Sequence, residues 1–343
     1  MLFLFAPLEG LTGRVYRRVH ARFYPGIARY YVPFFSPTGD GAFPKKGLTE
    51  LLPEENPGLT AVPQLLTARP EDFLAAARFL ADRGYREINL NLGCPSGTVT
   101  AKHKGAALLR EPELLERLLD GIFSSPLSSE IEISVKTRIG YTDPAEFPAL
   151  AALFARYPIS ALLLHPRVRR EFYAGSVHPE AFRLARRCCP FPVIWNGDLS
   201  SPGDVKALLA DFPDTDTVML GRGLIGDPGL HRRLLTGEPA DLSRFRAFHD
   251  ALCEEYRSVL FGDTPLCHKM KEFWFYAAAH FADSGACLKR LNKAKSFSEY
   301  RQAADVFFAE APWLPELRRD RPPYLGGYPP AGQAEAPALD RAD

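Results

Sequence analysis

The chain has no apolar run near the roughly 20 residues that a membrane-spanning helix needs. Its first residues, Met1-Leu2-Phe3-Leu4-Phe5, are apolar but carry neither a basic leader nor a cleavage site, so they read as a strand and not as a signal peptide. No glycine-rich GxGxxG turn occurs between a strand and a helix, which disfavours a resident dinucleotide. Cysteine is scarce: Cys94, Cys188, Cys189, Cys253, Cys267 and Cys287 show no paired metal-ligand spacing, and adjacent Cys188 and Cys189 cannot form a CxxC site. No metal is expected, and disulfides are not expected of a cytosolic chain. Neither sign of charge dominates, since 42 Lys and Arg face 41 Asp and Glu for a net +1. The total charge therefore does not announce a nucleic-acid binder, and any basic surface must come from distribution.

What is present is alternation. Strand patterns run over Phe3 to Phe5, Tyr30 to Phe34, Ala61 to Leu65, Glu87 to Asn91, Ile131 to Val135, Ala161 to Leu164, Pro192 to Ile194 and Thr217 to Leu220. Between most of them lie helical patterns: Glu71 to Arg83, Glu111 to Phe123, Ala145 to Phe154, and Asp204 to Leu209 behind the cap signal Ser200-Ser201-Pro202. This order predicts an α/β fold, a (β/α)8 TIM barrel, over residues 1–238. Ser36 to Thr60, rich in Pro and Gly, reads as a long irregular loop. After Glu238-Pro239-Ala240 the alternation stops and helices follow, predicting a small all-helical domain over 239–320. Its Phe273 and Trp274 are expected in a core. From 321 to 343, Pro, Gly and Ala dominate and a disordered tail is expected. The 46 % hydrophobic content of the 343 residues suffices for such a core.

Barrels of this kind place function where strands end. Those ends are Pro7-Leu8-Glu9-Gly10, Gln64, Asn91-Gly93-Cys94, Lys136-Thr137-Arg138, His165-Pro166-Arg167, Asn196-Gly197-Asp198 and Gly221-Arg222-Gly223. The most informative is Asn89-Leu90-Asn91-Leu92-Gly93-Cys94-Pro95-Ser96, an alternating strand that stops in a turn and leaves one thiol at its end. A lone cysteine is commonly a buried small hydrophobe. Gly93 and Pro95 around this one favour a rigid turn that holds a proton donor or nucleophile. Gly221-Arg222-Gly223 after the last strand suits a phosphate. Basic residues at Arg14, Arg17, Arg18, Arg22, Lys102, Lys104, Arg167, Arg169 and Arg170 fall near the expected rim and would give it a basic mouth.

These segments together resemble the dihydrouridine synthase family, flavoproteins that reduce uridine in tRNA. The resemblance rests on Ala6 to Thr12, Asn89 to Ser96 with Lys104 to Leu109, Ser134 to Gly140, Leu164 to Arg167 with Tyr173-Ala174-Gly175, Ile194 to Asp198, and Val218 to Gly223. Leu8 stands where Met is usual, Glu9 where Ala is commoner, and Pro166 where Gly is usual. The resemblance implies FMN over the barrel mouth, with Pro7, Leu8 and Glu9 at its ring and Gln64, Lys136 and His165 at its polar edge. Asn196, Gly197, Asp198, Gly221 and Arg222 would take the ribityl chain and phosphate. Cys94 would protonate carbon 5 of uracil after hydride reaches carbon 6. Asn91, Arg138, Arg167 and Lys104 would bind the substrate. NADPH would be the electron donor and tRNA the partner of a cytoplasmic, monomeric enzyme. The helical segment would grip the RNA through Lys269, Lys271, Lys289, Arg290, Lys293 and Lys295. Other readings of the same residues are an FMN barrel acting on ribosomal RNA or a free pyrimidine, a Schiff-base aldolase using Lys136, and a non-catalytic RNA-binding protein.

Overall fold

The computed structural model describes residues 1–37 and 45–317, and the tail expected over 321–343 lies outside them. The strands are β1 (Leu2–Phe5), β2 (Arg29–Tyr31), β3 (Ala61–Val62 continued by Gln64–Leu65), β4 (Glu87–Leu92), β5 (Glu132–Arg138), β6 (Leu162–His165), β7 (Val193–Trp195) and β8 (Thr217–Leu220). All pairings are parallel, and β8 pairs with both β7 and β1. The ring closes through β3. Its first half pairs with β2 and its second with β4, the two halves separated by Pro63, which has no N–H for a ladder. The Pro63 carbonyl still accepts from the Asn89 amide at 2.8 Å, so the break costs little. The chain is thus the (β/α)8 barrel that its alternation predicts.

Residue parity decides what each strand shows to the barrel interior. Leu4, Ala6, Tyr31, Val62, Leu163, Ile194 and Met219 form one inner apolar cluster. Their neighbours Phe3, Phe5, Tyr30, Leu162, Leu164, Trp195, Val218 and Leu220 belong to the larger outer core beneath the helices. The same parity turns Gln64, Asn89, Asn91 and Ser134 inward, where they bond to one another, so one side of the barrel interior is polar.

The helices around the barrel are α1 (Arg14–Phe23), α2 (Pro70–Ala81), α3 (Pro112–Phe123), α4 (Phe147–Phe154), α5 (Pro179–Cys188), α6 (Pro202–Asp211), α7 (Arg222–Gly226) and α8 (Leu230–Thr236). Proline opens α2, α3, α5 and α6, where its fixed φ suits the first turn and its missing N–H is not needed. At α6 the expected cap forms: Ser201 accepts from the Asp204 amide (3.2 Å) and the Asp204 carboxylate accepts from the Ser201 amide (2.8 Å). Helix α5 escapes the apolar pattern because Arg183, Arg186 and Arg187 cover it, leaving Ala181, Phe182 and Ala185 as its buried face. The segment read as irregular holds a short helix, Lys45–Glu50.

Beyond the barrel come α9 (Leu242–Val259), α10 (Asp263–Ala277), α11 (Gly285–Lys293) and α12 (Phe297–Glu310). Phe273 and Trp274 are buried as expected. The outer core runs on into these helices: Phe248 of α9 meets Tyr16, Phe23 and Tyr24 of α1 and its C-cap. Truncating such a buried phenylalanine to alanine costs about 3–5 kcal/mol. The arginines of α1 are paired or buried, two of them at this same junction, which corrects the expectation that they line a basic mouth. Arg17 is fully buried and bonds Asn56 and the Thr12 carbonyl, while Arg18 bridges Glu55 and Glu255 (2.9 and 3.1 Å) and Arg22 pairs with Glu255. Among the described residues no helix is long and apolar enough to cross a membrane.

Candidate active site

The C-terminal ends of the strands surround a cavity of about 400 Å³. Strand register explains its lining. Asn91 lies beside Lys136, and Arg138 beside His165, so consecutive strands deliver inward side chains at matching height. Asn196 follows β7 and Gly221 follows β8 with the same parity. Pro7, Leu8 and Glu9 border the cavity from the end of β1, and Gln64, Cys94, Gly197, Asp198 and Arg222 join them, so all the site residues named from the sequence except Arg167 and Lys104 line it.

Cys94 is half-buried on a turn held by side chains. The Asn91 Oδ1 accepts from the amides of Gly93 (3.0 Å) and Cys94 (2.9 Å). The Asn91 amide group in turn donates to Gln64 Oε1 (2.7 Å). Asn91 is therefore engaged in the turn itself, beside whatever it offers a ligand. Gly105, at φ +60°, passes so close that a Cβ there would lie 3.2 Å from the Cys94 Cβ, so a glycine is what lets the Lys104 to Leu109 segment pack against the thiol turn. Burial pushes the Cys94 thiol above its ordinary value, and Glu9 adds to this against the pull of Arg138 and Lys136.

Lys136 enters the cavity with no hydrogen bond or ion pair to any described residue. Burial first and the neighbouring Arg138 charge second lower its pKa to about 7. His165 is buried, and desolvation followed by the charges of Arg138, Lys136, Arg167 and Arg222 drives it well below the ordinary imidazole range. It is neutral. Arg167 can only donate, so its 3.3 Å contact makes His165 Nε2 the acceptor and leaves the proton on Nδ1.

Two arginines expected at the substrate are committed elsewhere. Arg138 donates to the carbonyls of Gly93 (3.0 Å), Val168 (3.0 Å) and Phe172 (2.8 Å), tying the thiol turn to the loop after β6 while bordering the cavity. Arg167 is fully buried, does not line the cavity, and pairs with Asp198 and the Ala174 and Gly175 carbonyls. Lys104 lies outside the cavity lining and donates to Ser36 Oγ at 3.3 Å. Asp198, with φ +47°, also takes Arg222 at 2.8 Å, so a single buried carboxylate orients two guanidinium groups. Gly223 is required beside it, because a Cβ there would fall 2.3 Å from the Leu199 carbonyl oxygen. Tyr173, of the matched segment Tyr173-Ala174-Gly175, also lines the mouth, as do Phe172 and Tyr276, which the sequence does not single out. Tyr276 comes from α10, where an aromatic at helical spacing gives no sign of facing a cavity.

A parallel barrel that opens a thiol, an unpartnered lysine and a neutral histidine onto one cavity is built as an enzyme. The family model described as "Dihydrouridine synthase (Dus)" matches residues 4–305, and the chain belongs to that family. Curated relatives include tRNA-dihydrouridine synthase B of Vibrio vulnificus (strain CMCP6), 26 % identical over 88 % of this chain and 90 % of that protein. The protein of the same name from Vibrio cholerae is 30 % identical over 67 % of this chain and 69 % of its own length. Among solved structures, a variant of NCR from Zymomonas mobilis aligns with 15 % identity and a TM-score of 0.49, covering 70 % of this chain and 87 % of that one.

Proposed function

We propose that the protein reduces the 5,6 double bond of specific uridines in tRNA to dihydrouridine, using FMN and NADPH. The observation that carries this reading is the meeting of Cys94, Lys136 and His165 on one cavity in a chain of this family. The cavity suits an anionic, planar cofactor. Its unpartnered ammonium, its guanidinium at Arg222 and its imidazole with Nδ1–H are all donors, and the one buried carboxylate, Asp198, is already neutralised by two arginines. Gln64, Lys136 and His165 would meet the ring edge, Pro7, Leu8 and Glu9 its plane, and Asn196, Gly197, Gly221 and Arg222 the ribityl phosphate. When bound there and reduced by NADPH, FMN would supply the hydride for uracil carbon 6.

Cys94 supplies the matching proton. Its thiol gives H⁺ to carbon 5, the thiolate that remains is reprotonated by water, and the nearby Lys136 and Arg138 charges stabilise it meanwhile. A uridine inside folded RNA must leave its stack to reach the cavity, and the aromatic rings of Phe172, Tyr173 and Tyr276 at the mouth suit an extruded base. This reading carries with it a cytoplasmic setting and a monomer that meets tRNA through the barrel mouth and the helices behind it. The test is the absorbance spectrum of the purified protein, with heat-released cofactor and the dihydrouridine content of treated tRNA measured alongside. Flavin peaks, FMN in the supernatant and NADPH-dependent dihydrouridine are expected. A colourless protein that borohydride traps on a carbonyl substrate would put the Lys136 aldolase in its place.

A further inference from the structure

A chain of buried hydrogen bonds runs the depth of the barrel and ends on the thiol turn. At the floor, the Glu87 carboxylate sits 3.1 Å from Arg29 and accepts from Tyr31 (2.8 Å) and from Ser134 Oγ (2.6 Å). A carboxylate accepts only, so Ser134 must spend its single proton there. Its oxygen is then left to accept from Asn89 Nδ2 at 2.8 Å. That fixes the Asn89 oxygen toward Gln64, whose Nε2 donates to it at 2.7 Å. The Gln64 oxygen can then only accept from Asn91 Nδ2, and the Asn91 oxygen faces the amides of Gly93 and Cys94. Each amide orientation follows from the one before it. Reversing any link would set N–H against N–H among buried side chains and leave donors unpaired.

We propose that Ser134, anchored by Glu87, is a positioning residue for Cys94: its hydroxyl secures the lower end of the relay that runs through Asn89 and Gln64 to Asn91, whose oxygen holds the thiol turn. The relay rests on the proposed reaction only for what the turn is used for, and not for its own geometry. Without the hydroxyl, Asn89 Nδ2 loses its acceptor and Glu87 a donor, and the relay keeps its polarity only from the Gly93 and Cys94 amides at its other end. The unpaired N–H is relieved only if Asn89 and Gln64 shift beneath Asn91, and Cys94 then loses its fixed place and part of its burial.

Threonine and valine at this position have the same shape and differ only in the hydroxyl, so Ser134→Thr and Ser134→Val separate polarity from packing. Both are made in a Cys188→Ser background, because Cys188 is the exposed competing thiol. Alkylation of Cys94 by iodoacetamide, followed by peptide mass spectrometry from neutral to alkaline pH, reports the turn without any substrate. In Ser134→Val the alkylation rate at neutral pH should rise about threefold or more and its pH midpoint should fall, since the thiol loses the burial that raises it. Turnover on tRNA should drop about tenfold with little change in KM, as expected for a misplaced acid. Ser134→Thr should keep both close to the parent. If the two variants behave alike in alkylation and turnover, the relay is overturned. A parent protein that reduces no uridine would sink the proposed reaction and leave the alkylation comparison standing.

Discussion

Cys94 and Lys136 face one cavity under opposite electrostatic demands. Burial holds the thiol protonated, which an acid needs, and the same burial strips part of the charge from the lysine. Cys94→Ala should leave cofactor content and RNA affinity near the parent while dihydrouridine formation falls roughly 100-fold. Full turnover with reduced flavin present would reduce the thiol to a packing group. For Lys136 the folded pKa of about 7 lies below the unfolded value of 10.5, so between the two the unfolded chain binds more protons and stability rises with pH. Below pH 7 the buried cation opposes folding in full. Lys136→Met should therefore raise the melting temperature of flavin-free protein by about 2–5 °C in mildly acid buffer, with the gain shrinking as pH climbs above 7. Its affinity for FMN should fall, because the ammonium that an anion would restore is gone. A variant that melts no higher than the parent at low pH would show that water in the cavity already solvates this charge.

At the scale of strands and loops, Arg222→Ala tests the phosphate role of the loop after β8. Asp198 keeps Arg167 when Arg222 is removed, so the fold should hold, while FMN is lost on purification and excess FMN in the assay partly restores turnover. Stoichiometric flavin in the purified variant would assign the phosphate elsewhere. This scale is also where the sequence was most readable. Alternation at Asn89-Leu90-Asn91-Leu92 marks a strand whose polar face points into the barrel, because an interior lined on one side by amides satisfies itself. The matching strand ends then converge by register, so nearly all the named site residues share the cavity. What could not be read is the direction of loop carbonyls. Three of them turn inward on Arg138, and two more with Asp198 enclose Arg167, so charges that look like rim arginines are structural. Helix α5 was hidden for a related reason, its arginines masking a narrow apolar stripe.

For the whole molecule, the question is how a nearly neutral protein holds a large polyanion. The arginines of α1 are paired or buried, and two of the helical lysines are also taken: Lys269 lies 3.3 Å from Glu272 and Lys271 donates to the Ala294 carbonyl. Lys289, Arg290, Lys293 and Lys295 remain exposed on and just after α11, with no ion pair among the described residues. Helix α11 packs on α12 and α10, and α10 carries Tyr276 to the cavity mouth, so these charges are fixed relative to the site through one continuous core. A barrel mouth can hold a base and its nearest phosphates but cannot measure the shape of a folded RNA, so a second contact at a distance is what substrate choice requires. The triple change Lys289→Ala, Arg290→Ala, Lys293→Ala should raise the dissociation constant for tRNA and reduce the salt slope of binding by roughly 0.7 to 0.9 per lost phosphate contact. Oxidation of NADPH by the bound flavin should be unchanged, since that half-reaction needs no RNA. Unaltered affinity and slope would leave these residues a solvated helix face and move the RNA grip to Lys102, Arg169 and Arg170 at the rim.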